Sequence, residues 1–292
     1  MDVSDLDYVL PPEAIAQVPL AERDAARLLV DRGAGEPPDH RRVADLAEVL
    51  RPGDLLVVND TRVLPARLAL RRPGGGRAEV LLLEHKAGCR WEALARPSRK
   101  LTPGLRLMGD GVSATAVEDL GEGRWLVDVE GDVDEGGEVP LPPYIHEQLT
   151  EPERYQTVYA RRAVSAAAPT AGLHLTHAVL ERCRDNGIGL ATVELAIGLD
   201  TFRPVTTATL EEHVMHSEAY AVPVETLEAC RAATRVVAVG TTVVRTLESA
   251  AARGELTGRT DLFIRPGFEF RMVDVLLTNF HLPRTSLLAL LS

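Results

Sequence analysis

The stretch 235-RVVAVGTTVVRTLESA-250 decides the fold class. An apolar run, Val236 to Val239, reads as a buried strand that stops at Gly240, and Thr241 and Thr242 then open a helix. A strand that passes straight into a helix is one unit of an α/β fold. The first turn of such a helix carries backbone N–H groups without intrahelical acceptors, so it can hold an anion or a carboxylate. It is neither a P-loop nor a GxGxxG turn, because the glycines and lysine those need are absent. Ordinary capping by a threonine explains the same residues equally well. Arg245, one turn on, is expected to project to the same end as the threonine pair.

The neighbouring sequence repeats the alternation. "PVETLEACRAAT" reads as a helix before that strand, and "LTHAVLERCRDNG" as an amphipathic helix stopped by Gly187, followed by the strand-like "IGLATVELAIGL". Near the start, "RRVADLAEVL" looks helical, and "PGDLLVVNDTR" places a buried strand at Leu55–Val58 after a Pro-Gly turn. Residues 66–150 differ in kind. "RAEVLLLEH", "CRWEALARP", "GLRLMG", "VSATAVEDL" and "RWLVDVEG" are short, partly alternating segments divided by Gly, Pro and Asp, the pattern of a small antiparallel barrel. The expected architecture is an α/β main domain built from residues 1–65 and 151–292, with an antiparallel β-barrel inserted at 66–150.

Composition narrows the function. The chain has 292 residues, 45% hydrophobic and 26% charged, the balance of a globular protein. No apolar run reaches the roughly 20 residues of a membrane helix, and the acidic start lacks a signal pattern, so a cytoplasmic protein without membrane contact is expected. Cys89, Cys183 and Cys230 lie too far apart for a zinc knuckle or redox pair. A net charge of −11 argues against indiscriminate nucleic-acid coating. Locally, however, Arg71, Arg72, Arg77, Arg96, Arg99 and Lys100 crowd two short segments. They form either a basic face or a solvated surface.

Four further stretches place polar side chains where chemistry is possible. "APTAGLHLT" holds Thr170, Gly172 and His174, a loop that fits either a ligand or a helix cap. "VNDTRV" and "LTNFHLP" end apolar runs with Asn59, Asp60 and Arg62, and with Asn279 and His281, where α/β folds bind ligands. "LEEHVMHSEAYAV" gathers His213, His216 and Glu218. Its i, i+3 histidine spacing, with no third ligand, makes an acid–base site or a polar loop a better reading than a metal.

Together these strings resemble the S-adenosylmethionine:tRNA ribosyltransferase-isomerase family of queuosine biosynthesis. The likeness runs through "GDLLVVNDTRVLPARL", "RPSRKLTPG", "ERYQTVYA", "AAPTAGLHLT", "GLDTFRPV", "EEHVMHSE", "VGTTVVRTLESA" and "VDVLLTNFHLPRTSLL". It implies an α/β domain with an inserted β-barrel. It also implies transfer and rearrangement of the ribosyl part of S-adenosylmethionine onto the 7-aminomethyl-7-deazaguanine base at the tRNA wobble position. Epoxyqueuosine forms, and adenine and methionine leave. No metal or separate cofactor is implied, because the sulfonium activates the substrate and is itself consumed.

The resemblance assigns acid–base work to His174, His213, His216, Glu218 and Asp60. Substrate binding falls to Asn59, Arg62, Thr170, Gly172, Thr201, Arg203, Thr241, Thr242, Arg245, Asn279 and His281. Arg161 and Arg162 join the basic residues above as tRNA contacts, and a monomer is expected. His174, His213, His216, Glu218 and Thr170 should converge on one pocket. Tyr144, Tyr155 and Phe280 are the candidates for stacking a base. Two departures from the family stand out: Ala196 replaces a histidine common in its members, and the sequence stops at "LLALLS" where they continue. A tRNA-binding member without turnover is the alternative reading.

Overall fold

The computed structural model describes residues 1–33, 35–198, 205–215 and 217–292. Its centre is a six-stranded mixed sheet, ordered Thr257–Thr260, Glu218–Ala221, Gly189–Leu195, Asp54–Asn59, Arg235–Val239, Val275–Leu277. The last four strands are mutually parallel and the first two antiparallel. Asp54–Asn59 lies in the middle and is buried throughout, which is why its sequence is a run of apolar residues rather than an alternation. Leu55 and Val57 face one side with Val243, Val244 and Leu247 of the Thr241–Arg253 helix. Leu56 and Val58 face the other, with Val179, Leu180 and Cys183 of the His177–Asp185 helix.

The helices follow the sequence cues. Thr176 caps His177–Asp185 by accepting from the Val179 amide, and Gly254 ends Thr241–Arg253 in the left-handed conformation. "RRVADLAEVL" is less helical than expected: a 3₁₀ turn at Val43–Asp45 runs into a single α-turn at Leu46–Val49.

Residues 67–138 form a second, antiparallel sheet. Its order is Gly137–Glu138, Arg67–Arg71, Arg77–Ala87, Arg90–Arg96, Arg124–Gly131, Val112–Gly121, Arg106–Met108. Arg71 also pairs with Met108, so Arg106–Met108 returns to Arg67–Arg71. Alternate residues such as Leu68, Leu70, Val80 and Leu82 turn inward around the buried Trp125. Residues 139–150 pack outside the antiparallel sheet, since Val139, Leu141 and Leu149 gather around Val63, Tyr155 and Ala168 of the segments that flank it. Gln156 ties this junction by accepting from the Val63 amide at 2.9 Å and donating to the Val63 carbonyl at 3.0 Å. No helix among the described residues is long and apolar enough to cross a membrane.

Candidate active site

The carboxyl ends of the parallel strands open onto a cavity of about 240 Å³. Its wall takes Thr170 from the turn after the Arg162–Ser165 strand, Thr241 and Thr242 from the helix start, and Thr278, Asn279 and His281 from the loop after Val275–Leu277. Tyr8, Leu10 and Ile15 of the first segment and Tyr144 of the connector close it from outside. This is the crevice beyond the strand ends where α/β sheets bind ligands.

Local chemistry builds that wall. Gly240 has φ 93°, a value that favours glycine, and it turns the chain from strand into helix. The Val243 and Val244 amides donate back to its carbonyl, leaving the earlier amides of the helix without an intrahelical acceptor. Thr242 is 8% exposed, and its Oγ1 is buried without a hydrogen-bond partner. Gly172 cannot carry a side chain, because a Cβ there would collide with the Tyr159 hydroxyl. Asn279 Nδ2 is 3.0 Å from His174 Nε2, so His174 stands one layer behind the wall. Burial pushes the His174 imidazole below its ordinary value. Burial takes His281, 3.1 Å from Thr278 Oγ1, down to about 4. Both rings are therefore neutral at pH 7.

A larger cavity, about 670 Å³, lies between the two sheets. Ala196, Gly198, His213, Glu218 and Arg245 line it from the α/β side, and Glu84, Glu92, Glu122 and Arg124 from the antiparallel side. The Glu218 carboxylate is fixed: Arg245 pairs with it, and the Gly198 amide donates to it at 3.0 Å. Arg245 is fixed in turn by donating to the carbonyls of Leu262 at 3.0 Å and Thr260 at 3.3 Å. His213 meets the Phe263 ring edge-on, centroids 5.4 Å apart.

The expected residues thus divide. Thr170, Thr241, Thr242, Asn279 and His281 share the first cavity, with His174 behind it, while His213 and Glu218 share the second. The expectation of one pocket for His174, His213, Glu218 and Thr170 gives way to two adjoining ones. His216, Thr201 and Arg203 lie outside the described residues. Arg245 does not join the threonine pair, because Glu218 on a neighbouring strand draws its guanidinium sideways. Asn59 is 0% exposed and does not reach a cavity. Its amide donates to the Leu195 carbonyl at 3.1 Å and accepts from the Leu195 amide at 3.3 Å, which locks two strands together. Asp60 is buried beside Arg161, at 3.7 Å, and burial raises its carboxyl above the usual range. Arg62 pairs with Glu153.

The basic residues also divide. On the antiparallel sheet Arg71 faces Arg77 across one strand pair, and Arg96 faces Glu79 across the next, so all three share the outer surface. Arg99 and Lys100 follow in the 3₁₀ turn Ser98–Lys100, also exposed. Among the described residues, Arg71, Arg72, Arg77, Arg96, Arg99 and Lys100 make no ion pair. Arg161 and Arg162 do, the latter with Glu194 at 2.5 Å. Of the three aromatic candidates, Tyr155 is buried in a core cluster, Tyr144 lines the first cavity, and Phe280 stands 87% exposed at its rim.

Several wall residues carried no sequence signal. Tyr8, Leu10 and Ile15 sit in an aperiodic first segment, and Glu84, Arg124 and Arg259 look like ordinary strand charges. No group of three metal-ligating side chains occurs among the described residues.

Known proteins resemble this chain over almost its whole length. A family profile described as "Queuosine biosynthesis protein" matches residues 3–292. A Rubrobacter xylanophilus protein called S-adenosylmethionine:tRNA ribosyltransferase-isomerase is 54% identical, over 99% of this chain and 88% of its own. A protein of the same name from Thermus thermophilus is 49% identical, over 98% of this chain and 89% of its own. The crystal structure of S-adenosylmethionine tRNA ribosyltransferase from Thermotoga maritima superposes with a TM-score of 0.53 at 37% identity, covering 99% of this chain and 88% of that one.

Proposed function

Because the chain belongs to the queuosine biosynthesis protein family, we propose that its two cavities divide the work of the reaction its relatives are named for. The enzyme transfers and isomerises the ribosyl moiety of S-adenosylmethionine onto 7-aminomethyl-7-deazaguanine in tRNA, and adenine and methionine leave. S-adenosylmethionine is a consumed substrate, and no further cofactor enters. The sulfonium acidifies the neighbouring 5′ carbon and makes methionine a good leaving group. The protein has to add proton transfers and to hold two substrates in reacting geometry.

The first cavity suits the methionine end of S-adenosylmethionine. The observation that carries this is Thr242 Oγ1, buried without a partner beside the open amides of the Thr241–Arg253 helix. A carboxylate there accepts from both and meets the positive end of the helix. Asn279, oriented by neutral His174, supplies a directed donor or acceptor to the ribose. His213 and Glu218, across the Ala196–Gly198 segment, carry the acid–base steps, and Arg245 positions Glu218. Closure of the antiparallel strands through Arg71 and Met108 supports reading 67–138, within the expected 66–150, as an inserted barrel whose unpaired cations hold tRNA phosphates.

The test is direct. The protein is incubated with S-adenosylmethionine and tRNA bearing the precursor base, and released adenine is measured. Adenine should appear only with both substrates present; none with both rejects the reading.

A further inference from the structure

The first cavity is roofed by a piece of chain that is held at its ends and hardly at all between them. Leu10, Ala14 and Ile15 line the cavity, while Val9 is 91% exposed. None of residues 8–16 belongs to a core cluster. Among the described residues, one hydrogen bond joins 8–16 to a distant part of the chain: the Tyr8 hydroxyl donates to the His281 carbonyl. The two ends are clamped. Leu6 is buried with Leu210 and Ala289, its carbonyl accepts from the Arg284 amide at 3.0 Å, and Arg284 pairs with Asp7. At the other end Gln17 donates to the Tyr144 carbonyl at 3.0 Å and accepts from the His146 amide at 2.9 Å.

Between the clamps the strap keeps its own shape. Pro11 has φ −63°, and the Ala14 and Ile15 amides donate to the Pro11 and Pro12 carbonyls at 2.9 and 3.1 Å. A stiff segment hinged at both ends and latched at one point moves as a body. Size requires that it move. With the strap down, the cavity is about 240 Å³, below the roughly 300–1,000 Å³ of sites that enclose a drug-sized ligand. S-adenosylmethionine is a ligand of that size, and its acidified 5′ carbon has to be shielded from water once inside. The latch also reaches the wall, because His281 follows Asn279 by two residues in the same loop. Lowering the strap therefore fixes the loop that carries both.

We propose that residues 8–16 are the lid of the first cavity, lifting to admit S-adenosylmethionine and closing over it, with the Tyr8 hydroxyl as the latch of both the empty and the filled closed state. The proposal rests on the function proposed above, and the two fail separately. Adenine release by the wild-type enzyme tests that function, whereas rates of binding test the lid. Val9→Cys, in a Cys89→Ser chain whose other cysteines are buried, carries an environment-sensitive dye on the strap. The protein is saturated with an anticodon stem–loop bearing 7-aminomethyl-7-deazaguanine. It is then mixed by stopped flow with S-adenosylhomocysteine, the thioether that lacks the reactive sulfonium. The dye should respond on binding. Tyr8→Phe should raise the association and dissociation rate constants together, each by about threefold to tenfold, the range for one lost hydrogen bond. Affinity should stay within about twofold, because the latch is lost from both closed states alike. A dye that stays silent while calorimetry records binding overturns the lid. So does a Tyr8→Phe chain with both rates unchanged, or with dissociation alone faster, since the last would make Tyr8 a contact of the ligand.

Discussion

Thr242 and Arg245 stand one turn apart on the same helix and do different work. Thr242→Val keeps the shape and removes only the unpartnered hydroxyl. The KM for S-adenosylmethionine should rise by about fivefold to tenfold, the effect of one lost hydrogen bond of ~1 kcal/mol, with no loss of thermal stability. Equal KM values would assign that hydroxyl to the core. Arg245→Lys keeps a charge but loses the fork that reaches Glu218 and two carbonyls at once. Its kcat should fall while its KM for S-adenosylmethionine stays close to wild type; the opposite split would return Arg245 to substrate binding. His281 gives a pH signature. Its folded value, about 4, lies below the ordinary 6.5, so the unfolded chain binds the proton more tightly in between. Its contribution is complete above about pH 6.5 and is lost as pH falls toward 4. The thermal midpoint should therefore drop across that window, and His281→Gln should flatten the drop. Thr241 and Thr242 were legible because a strand, a glycine and a cap follow one another in sequence. Arg245 was misread because its partner, Glu218, lies on another strand.

At the level of elements, regular structure was legible where burial dictates period. The runs at Asp54–Asn59 and Arg235–Val239 and the capped helices all stand where the sequence places them. What could not be read are the polar clamps that aim the loops. Glu248 is 0% exposed inside the Thr241–Arg253 helix, and its carboxylate accepts the amides of Arg271 at 2.9 Å and of Met272 and Val273 at 3.0 Å. Nothing local in sequence marks an acidic residue whose partners are distant backbone amides. That clamp fixes the approach to Val275–Leu277 and, beyond it, the Thr278–His281 wall of the first cavity. Glu248→Gln replaces one acceptor oxygen by a donor facing those amides. It should cost about 1–3 kcal/mol in denaturant unfolding, the range for stranding buried amides. A smaller loss would mean that the loop is held by its apolar contacts alone.

For the whole molecule, a net charge of −11 and an RNA substrate are compatible because charge is distributed unevenly. Among the described residues Arg71, Arg77, Arg96, Arg99 and Lys100 make no ion pair, although Arg67, Arg90 and Arg106 of the same sheet do, and those at the junction, Arg161 and Arg162, are paired as well. Arg99→Glu should weaken stem–loop binding and lower its salt slope by about one unit, leaving S-adenosylmethionine affinity unchanged. A slope equal to wild type would place the phosphates elsewhere. The cluster was visible in the sequence, but which arginines were already paired was not, since pairing depends on how the sheets meet. That meeting has a further consequence, for the order of events in time. Asp54–Asn59 becomes the centre of the six-stranded sheet, yet both its neighbours, Gly189–Leu195 and Arg235–Val239, follow the entire antiparallel sheet in the chain. During synthesis this apolar strand leaves the ribosome early and waits unpaired, while the antiparallel sheet, whose partners are close in sequence, completes first. Pairings of such long sequence separation close slowly. In refolding, amides of Arg77–Ala87 should gain protection from exchange before those of Asp54–Asn59. Until Gly189–Leu195 and Arg235–Val239 arrive, the strand on which the active site depends is also exposed to aggregation.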